Sequence, residues 1–300
     1  MTRERRPWVI PRGSPDYPPG LNELPDAPDA VHGVGDRGAV ARLEPEAAVT
    51  IVGSRRATAY GLRMAEELGR DLAHAGITVV SGLAYGIDAA AHVGAVAAGG
   101  PTVAVLGGGP DVIYPASHRG LHRQVLSCGA AISEHPPGTE TTKWSFPARN
   151  RIMAALARMT IIVEAAEPSG SLITAQRSTE LHRDVGAVPG QVGTRVAAGP
   201  NSLIRDGAAL IRDAQDVLDE LLGVGRAQVS RAGPELERPL REVLDRVERG
   251  ACTPDAVATE AGVASHEAAV ALGRLELLGY VVADGSGAYS RTGLAPPHLG

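Results

Sequence analysis

Aromatic residues and lysine are scarce in this sequence. Of its 300 residues only 3% are aromatic, with a single phenylalanine, so the core must be built mainly from Ala, Val, Leu and Ile. Lysine occurs once, at position 143. Because these side chains are so few, the places where they do occur are informative about function.

Cysteine and long apolar runs are also rare. Cys128 and Cys252 are too few and too far apart for a disulfide framework or a zinc knuckle, and a reducing cytoplasm is the expected location. The sequence has no run of about 18 apolar residues, so we expect no membrane span. No apolar run follows the basic residues at the start, so we expect no signal peptide. The formal net charge of −5 argues against a basic coat over the whole surface but is compatible with a local basic patch.

The sequence contains none of the common catalytic or nucleotide-binding motifs. G-x-G-x-x-G at the first helix, G-x-x-x-x-G-K-[ST], H-E-x-x-H and G-x-S-x-G are all absent. Acidic residues near predicted strand ends would repel a phosphate unless a metal were bound, and they form no recognisable acid/base pair. We therefore expect no catalytic residue, no cofactor and no metal. The acidic residues considered are Asp88, Asp111, Glu134 and Glu164.

Short apolar runs alternate with helical stretches from residue 49 onward. Each run is apolar throughout and is followed by Gly, Ser or Pro, which is typical of parallel strands covered by helices on both faces. The pattern predicts an α/β, extended Rossmann-like fold with a mostly parallel sheet. The six runs are VTIVG (49–53), ITVVSG (77–82), TVAVLG (102–107), AAIS (130–133), MTIIVEA (159–165) and VGAVPG (185–190).

The sequence predicts four regions. Residues 1–48, rich in Pro, Gly and Asp, are interpreted as a strap packed on the Rossmann-like domain of residues 49–222, and residues 223–236 as a linker. Residues 237–295 predict three helices and a hairpin, the element order of a small C-terminal winged-helix-like domain. Its third helix has one arginine and two glutamates, which favours a protein contact over reading of the DNA major groove.

Glycine-rich loops follow four of the predicted strands, at the edge where open parallel sheets bind ligands. Free N–H groups at a helix start favour a phosphate, and glycine lets the backbone approach it, although such turns also carry glycine for steric reasons alone. The four loops are GSRRAT (53–58), SGLAYGID (81–88), GGGPDVIYP (107–115) and EPSGSLITA (167–175).

Arg55 is the strongest single candidate in these loops. It directly follows the first strand of the predicted sheet, where an anion would bind, and its guanidinium matches a phosphate in a bidentate fork. Arg55 could instead pair with Asp88 or Glu164 at neighbouring strand ends.

The segment KWSFPARNR (143–151) places the only lysine and the only phenylalanine beside a tryptophan and two arginines. Pro147 restricts the residue before it, which predicts that Phe146 lies in a loop and not in the following helix. A ring beside cations suits single-stranded nucleic acid, since bases stack on the ring while Lys and Arg neutralise phosphates. Phe146 and Trp144 could equally pack into the core. The nucleic-acid hypothesis requires Arg55 and Lys143 to share one groove.

Several motifs in one order closely resemble the DNA-processing protein A (DprA, also called Smf) family. The resemblance runs from about Tyr17, in YPPGLNELPDAP, to about Leu222. The motifs are GSRRATAYG, SGLAYGIDAAAH, AVLGGGPDVIYP, SEHPPG, FPARNRI, VEAAEPSGSLITA, VPG and GPNSLIRDGA.

This resemblance implies a protein that binds single-stranded DNA, protects it and helps to load the RecA recombinase during natural transformation. It implies a homodimer and no catalytic reaction. It also implies a DNA-binding pocket, whose matching positions here are Gly53, Ser54, Arg55, Lys143, Phe146, Arg149, Asn150, Ser169, Gly170 and Ser171.

Two other functions remain open from the sequence. A nucleotide-processing enzyme on a related scaffold, such as a phosphoribohydrolase, would carry PGG-x-GT-x-x-E, whereas this chain has PGQVGTRV without the glutamate. A structural scaffold for protein partners would bind no DNA at all. The architecture alone does not separate these functions.

Overall fold

The computed structural model describes residues 6–227, 231–234, 236–283, 287–291 and 294–295. The described chain divides into two compact units. The first unit ends at Ala227, and the second comprises the described residues after it.

The first unit is built on one sheet of nine strands among its described residues. The strands are β1 (Trp8–Pro11), β2 (Ala30–Gly35), β3 (Ala48–Val52), β4 (Thr78–Ser81), β5 (Thr102–Val105), β6 (Gly129–Ser133), β7 (Met159–Ile162), β8 (Asp184–Ala187) and β9 (Ala209–Leu210). Their order in the sheet is β1-β2-β6-β5-β4-β3-β7-β8-β9. In this order the seven neighbouring strands β6-β5-β4-β3-β7-β8-β9 run parallel to one another. Strand β2 pairs antiparallel with both β1 and β6. This confirms the predicted α/β fold with a mostly parallel sheet.

Helices connect these strands on both sides of the sheet. The helices of the first unit are α1 (Arg37–Ala41), α2 (Ala59–His74), α3 (Ile87–Ala97), α4 (Arg119–Cys128), α5 (Ser145–Leu156), α6 (Gly170–Glu180), α7 (Ala198–Arg205) and α8 (Ala214–Leu222), with short 3-10 helices at Pro19–Glu23, Pro45–Ala47, Ala116–His118 and Arg195–Ala197.

The N-terminal segment differs from the predicted strap, because β1 and β2 extend the sheet and do not merely lie on it. Trp8 packs across β2 so closely that a Cβ on Gly33 would lie 2.2 Å from its ring. The Trp8 indole N–H donates to the carbonyl of Gly35 at 3.0 Å. These two strands are short and rich in turn-forming neighbours, which hid their periodicity in the sequence.

The chain reverses its direction of travel across the sheet between β6 and β7. From β3 it moves outward through β4, β5 and β6, and it then crosses back to place β7 on the other side of β3. The loops after β3 and β7 therefore diverge and leave a crevice at the carboxyl ends of these strands, the usual ligand site of such sheets.

The central strands are buried on both faces. Every residue of β3, β5, β6 and β7 is buried, and their Ala, Val and Ile side chains form the centre of the core. Small residues also bring α2 and α3 together, since a Cβ on Gly94 would lie 1.9 Å from the carbonyl oxygen of Glu66. This tight packing fixes α3 against α2.

Helix α5 begins earlier than the sequence predicts. Its first residue is Ser145, so Phe146 lies in the first helical turn and the prediction of a loop at Phe146 was wrong. Pro147 is compatible with this position because the first N–H groups of a helix have no intrahelical partner to lose.

The second unit contains three helices and two small sheets. The elements are β10 (Arg231–Ala232), α9 (Arg238–Glu248), α10 (Pro254–Ala261), α11 (Ser265–Leu277), β11 (Val281–Ala283), β12 (Tyr289–Arg291) and β13 (Leu294–Ala295). β11 pairs antiparallel with β12, and β10 pairs parallel with β13. Thr253 caps α10, and Gly262 ends it in the left-handed conformation with φ of +66°.

These elements stand where the sequence predicts three helices and a hairpin, while the winged-helix interpretation stays a prediction. Leu240, Leu244, Leu272 and Tyr280 are among the buried residues of this unit's own core. Residues 284–286 of the predicted hairpin turn and residues 228–230 and 235 of the predicted linker lie outside the described residues.

In the part of the chain that the structure describes, none of the helices combines the length and the apolar character that a membrane span needs.

Candidate functional site

A pocket of about 620 Å³ opens at the carboxyl ends of the central strands. This volume lies within the range of roughly 300–1,000 Å³ that is usual for ligand sites. Its walls come from the loop after β3, the starts of α3, α5 and α6, and the loop after β5. All ten residues that the sequence predicts for DNA binding line it, namely Gly53, Ser54, Arg55, Lys143, Phe146, Arg149, Asn150, Ser169, Gly170 and Ser171.

The loop after β3 is held from below by the start of α3. The carbonyl of Ser54 accepts a hydrogen bond from the N–H of Ile87 at 3.2 Å. Gly86 has a φ of +77°, and a Cβ there would lie 2.1 Å from the Ser54 carbonyl oxygen. Gly53 is similarly confined, since its Cβ would lie 2.7 Å from the carbonyl oxygen of Glu164. The backbone on either side of this contact is therefore fixed, and Arg55 extends from a rigid loop.

The exposed side chain of Arg55 is free to bind an anion. Its guanidinium carbon lies 4.7 Å from the centre of the Phe146 ring, and Arg55 makes no ion pair with any residue that the structure describes. The alternative that Arg55 pairs with Asp88 or Glu164 was wrong. Asp88 pairs with Arg149 at 3.5 Å, and the Glu164 carboxylate accepts hydrogen bonds from the backbone N–H and hydroxyl of Thr58 at 2.9 and 2.5 Å.

Phe146 is half-buried in the wall of the pocket. The ring of Tyr114, half exposed, lies 5.4 Å away from it at a tilt of 50°. Trp144 is 85% exposed, so the alternative that it packs into the core was wrong. The rarity of aromatic side chains correctly pointed to this segment, but only Phe146 of the pair faces the pocket.

Lys143 is exposed at the same opening as Arg55, as the nucleic-acid hypothesis requires. It makes no ion pair within the described part of the chain. Its position is fixed by the start of α5, where the Ser145 hydroxyl donates to the Thr142 carbonyl at 2.8 Å and accepts from the Thr142 N–H at 3.1 Å. Buried Ser145 lies directly beneath Gly107, whose Cβ would come within 2.9 Å of the Ser145 hydroxyl.

Arg149 is a buried cross-link beneath the pocket. It is 5% exposed, and its guanidinium donates to the carbonyl of Gly82 after β4 and, at 2.5 Å, to the carbonyl of Val105 on β5. Burial lowers the pKa of Arg149 and raises the pKa of Asp88, while the charge of each partner opposes the other's shift. Arg149 therefore holds two strand ends and α3 together.

Asn150 and the start of α6 form the opposite wall. The Asn150 amide donates to the carbonyl of Gly170 at 3.0 Å, which fixes the first turn of α6 against α5. The Ser169 hydroxyl caps α6 by accepting from the N–H of Ser171, and the two hydroxyls lie 2.8 Å apart. The positive end of α6 thus borders the pocket and favours a bound anion.

The pocket separates into two layers, which we call the rim and the floor. The rim consists of the exposed or half-buried Arg55, Tyr114, Lys143 and Phe146, and the floor of the buried Asp88, Arg149 and Asn150. Among the lining residues three are cationic and one, Asp88, is acidic, so the potential favours an anion.

Sequence reasoning missed Tyr114 as a rim residue. The available signal was the scarcity of aromatic residues, since Tyr114 is the one aromatic residue of the glycine-rich loop GGGPDVIYP at the same sheet edge. The proximity of that loop to Phe146 depends on packing between β5 and α5, which the sequence pattern does not show.

A second pocket of about 600 Å³ lies beside the loop after β8. The segment PGQVGTRV contributes part of its wall, together with Tyr60, Val163 and Glu164. Tyr60 closes one side by donating its hydroxyl to the Pro189 carbonyl at 2.9 Å. No group of three or more potential metal ligands occurs among the residues that the structure describes.

Comparisons with known proteins place the chain in a family. The model of the family described as "DNA recombination-mediator protein A" matches residues 8–222. A DNA processing protein DprA of Mycobacterium tuberculosis is 40% identical over 249 residues, which are 80% of this chain and 64% of that protein. The chain thus spans just under two thirds of that relative's length.

Two solved structures are similar to the first unit. DNA processing protein A of Streptococcus pneumoniae has 38% sequence identity and a TM-score of 0.67, with 72% of this chain and 75% of that chain covered. DNA processing protein A of Helicobacter pylori, which has a unique single-stranded DNA binding mode, has 28% identity and a TM-score of 0.65, with 74% of this chain and 98% of that chain covered.

Proposed function

Because this chain belongs to the DNA recombination-mediator protein A family, we propose that its pocket binds single-stranded DNA without sequence preference. The observation that carries this proposal is the composition of the rim, where two cations and an aromatic ring line one pocket. Arg55 and Lys143 open on one pocket without a carboxylate partner among the described residues. The only phenylalanine of the chain, three residues after Lys143, also lines this pocket and lies under the Arg55 guanidinium.

Phosphates supply most of the binding energy in this proposal. Arg55, Lys143 and the start of α6 surround one opening, so a phosphate can contact a guanidinium, an ammonium and backbone N–H groups together. Binding then releases counterions, and affinity falls steeply as salt rises.

Bases would be held by stacking, which tolerates any sequence. The planar guanidinium of Arg55 covers the Phe146 ring, and a base can stack on this plane or take its place on the ring. The floor acts differently from the rim. Arg149 and Asn150, which the resemblance counts among the DNA-binding positions, donate hydrogen bonds to the carbonyls of Gly82, Val105 and Gly170. In our proposal they therefore position the walls of the pocket, and the rim residues contact the DNA.

The same argument favours binding over catalysis. Asp88 is the only carboxylate of the lining, and it is buried against Arg149, so it has no free partner for acid/base chemistry. We propose that the protein is no enzyme, that it acts in the cytoplasm as a homodimer, and that it protects incoming DNA and helps to load RecA during natural transformation.

Substitution of the rim cations tests the pocket. We expect Arg55→Ala and Lys143→Ala each to weaken binding of an oligothymidylate by about tenfold to a hundredfold, since each removes a charged hydrogen bond. Each should also reduce the slope of log affinity against log salt by about 0.7. Fluorescence anisotropy across a salt series measures both quantities. Arg56→Ala is the matched control, because Arg56 is an exposed neighbour outside the pocket lining.

Unchanged binding in both variants, or equal losses in Arg56→Ala, would contradict the pocket. Incubation with nucleoside monophosphates tests the enzymatic alternative, and release of free base in chromatography would favour it. A wild-type protein that binds no oligonucleotide even at low salt would favour the scaffold function instead.

A further inference from the structure

Tyr85 is an exposed aromatic residue that the rim does not include. Tyr85 lies in the loop between β4 and α3, and it is 48% exposed. The Tyr85 ring lies 5.0 Å from the His118 ring at an interplanar angle of 73°, an edge-to-face contact. In a chain with so few aromatic residues, an exposed tyrosine that is supported by a half-buried histidine ring beside a binding pocket requires an explanation.

The Tyr85 ring is held in place from two directions. Its hydroxyl lies 3.1 Å from the Ser117 hydroxyl. His118 is fixed in turn, because its Nδ1 donates to the carbonyl of Leu83 at 3.0 Å. A ring that is already ordered loses little conformational entropy when a ligand packs on it.

The backbone beneath Tyr85 is also fixed. Leu83 is fully buried and has a φ of +55°, a conformation that a leucine keeps only when its surroundings enforce it. Gly86, on the other side of Tyr85, packs directly on the Ser54 carbonyl. The loop therefore presents Tyr85 outward as a rigid feature and not as a mobile one.

This pair of rings is continuous with the rim. Ala84, next to Tyr85, lines the pocket, and Gly86 contacts the loop that carries Arg55. Ser117 and His118 follow Tyr114 by three and four residues, and Tyr114 packs beside Phe146. The two aromatic pairs thus lie along one sheet edge, because Tyr85 follows β4, Tyr114 and His118 follow β5, and Phe146 follows β6 at the start of α5.

We propose that Tyr85, supported by His118, forms a second stacking platform for an unpaired nucleobase, next to the rim and on the β4 side of the pocket. This inference rests on the proposed single-stranded DNA binding. A strand whose phosphates are held by Arg55 and Lys143 continues over the loops after β4 and β5, and one further base packs on the exposed Tyr85 ring. Stacking makes this position tolerant of any base.

Binding as a function of oligonucleotide length tests the platform. We would compare wild type, Tyr85→Ala and Tyr85→Phe by fluorescence anisotropy with oligothymidylates from about 4 to 16 nucleotides. We expect Tyr85→Ala to bind the longer strands about tenfold more weakly and the shortest bound strand as wild type does. Tyr85→Phe should retain most of the affinity because it keeps the ring. The salt slope should not change, since no charge is removed.

A scan with single abasic sites provides a readout that needs no folding control. In the wild-type complex one abasic position outside the rim should lower affinity, and Tyr85→Ala should lose sensitivity to that position alone. Tyr60→Ala is the matched control, because Tyr60 is another exposed tyrosine but lines the second pocket.

The inference is overturned if Tyr85→Ala binds every length as wild type does, or if it weakens the shortest strand as much as the longest. Equal losses in Tyr60→Ala would also overturn it. Failure of the proposed function gives a different result, because the wild-type protein would then bind no strand of any length. That result would also rule out the platform.

Discussion

The rim and the floor of the pocket use the same residue types for opposite purposes. Arg55 and Lys143 on the rim are exposed and lack a carboxylate partner among the described residues, whereas Arg149 on the floor is buried and bonded to two strand-end carbonyls and to Asp88. All three cations line one cavity. The partners of a cation, and not its presence in a pocket, therefore indicate whether it binds a ligand or supports the fold.

The energetic reason for this difference is solvation. A cation on the rim keeps its water until a phosphate replaces it, so its removal costs the fold little. A buried cation has already lost its water and depends on its protein partners, so its removal leaves those partners unsatisfied. Substitutions on the floor should consequently change stability, and substitutions on the rim should change binding.

The largest expected effect is on the floor. Arg149→Ala removes the guanidinium that donates to the carbonyls of Gly82 and Val105. It also removes the ion-pair partner of buried Asp88, which keeps only its backbone hydrogen bonds from Gly53 and Ala84. We expect the free energy of unfolding to fall by about 3–5 kcal/mol, measured by urea denaturation of the full chain.

Arg158→Ala is the control for that measurement. Arg158 pairs with Asp184 at 3.2 Å on the surface, with both side chains more than a third exposed, so its loss should cost at most about 1 kcal/mol. Similar losses in the two variants would remove the distinction between a floor cation and a surface cation.

An intermediate effect concerns pH. His92 lies one helical turn after Asp88 in α3, and burial lowers its pKa from 6.5 to about 3 while its Nδ1 bonds to the Thr102 hydroxyl at 2.8 Å. In the unfolded chain His92 is protonated as pH falls through about 6.5, whereas in the folded chain it stays neutral until pH approaches about 3. The stability from neutral His92 is therefore complete above pH 6.5 and is lost as pH falls toward 3.

From pH 7 to pH 5 this one group should cost about 2 kcal/mol of unfolding free energy. Urea denaturation at both pH values measures the loss, and His92→Gln should show a smaller loss between the same two values. An equal loss in the variant would assign the acid sensitivity to other groups.

The smallest effect is expected just outside the rim. Trp144 is 85% exposed, does not line the pocket and precedes α5. Trp144→Ala should change the free energy of unfolding by less than about 0.5 kcal/mol and oligonucleotide affinity by less than about twofold. Phe146→Ala should weaken binding by about tenfold in the same assay. Matching losses in the two variants would extend the rim outward to include Trp144.

The parallel sheet and the membership of the pocket were predictable from the sequence. Buried parallel strands are apolar throughout, and their carboxyl ends must meet at one edge, so the order of strands and loops along the chain was enough to assign the glycine-rich loops to one site. The reasoning from the residues singled out Arg55 and the segment 143–151, and the resemblance to a known family supplied the other positions.

Other features depended on packing and could not be predicted. The strands β1 and β2 are short edge elements with weak alternation, and they form because Trp8 packs on Gly33 and β2 pairs with β6, far along the chain. Helix α5 begins at Ser145 because Thr142 and Ser145 bond to each other beneath Gly107. The pattern of residues near Pro147 contains no trace of that contact.

By itself the sequence determined the strands β3 to β8 and which of their loops share an edge, because side-chain periodicity and parallel pairing are properties of the chain's own pattern. Only the tertiary structure decided that Arg149 is buried support and Arg55 an open cation. That distinction depends on which groups three-dimensional packing brings within hydrogen-bonding distance and which it leaves in water.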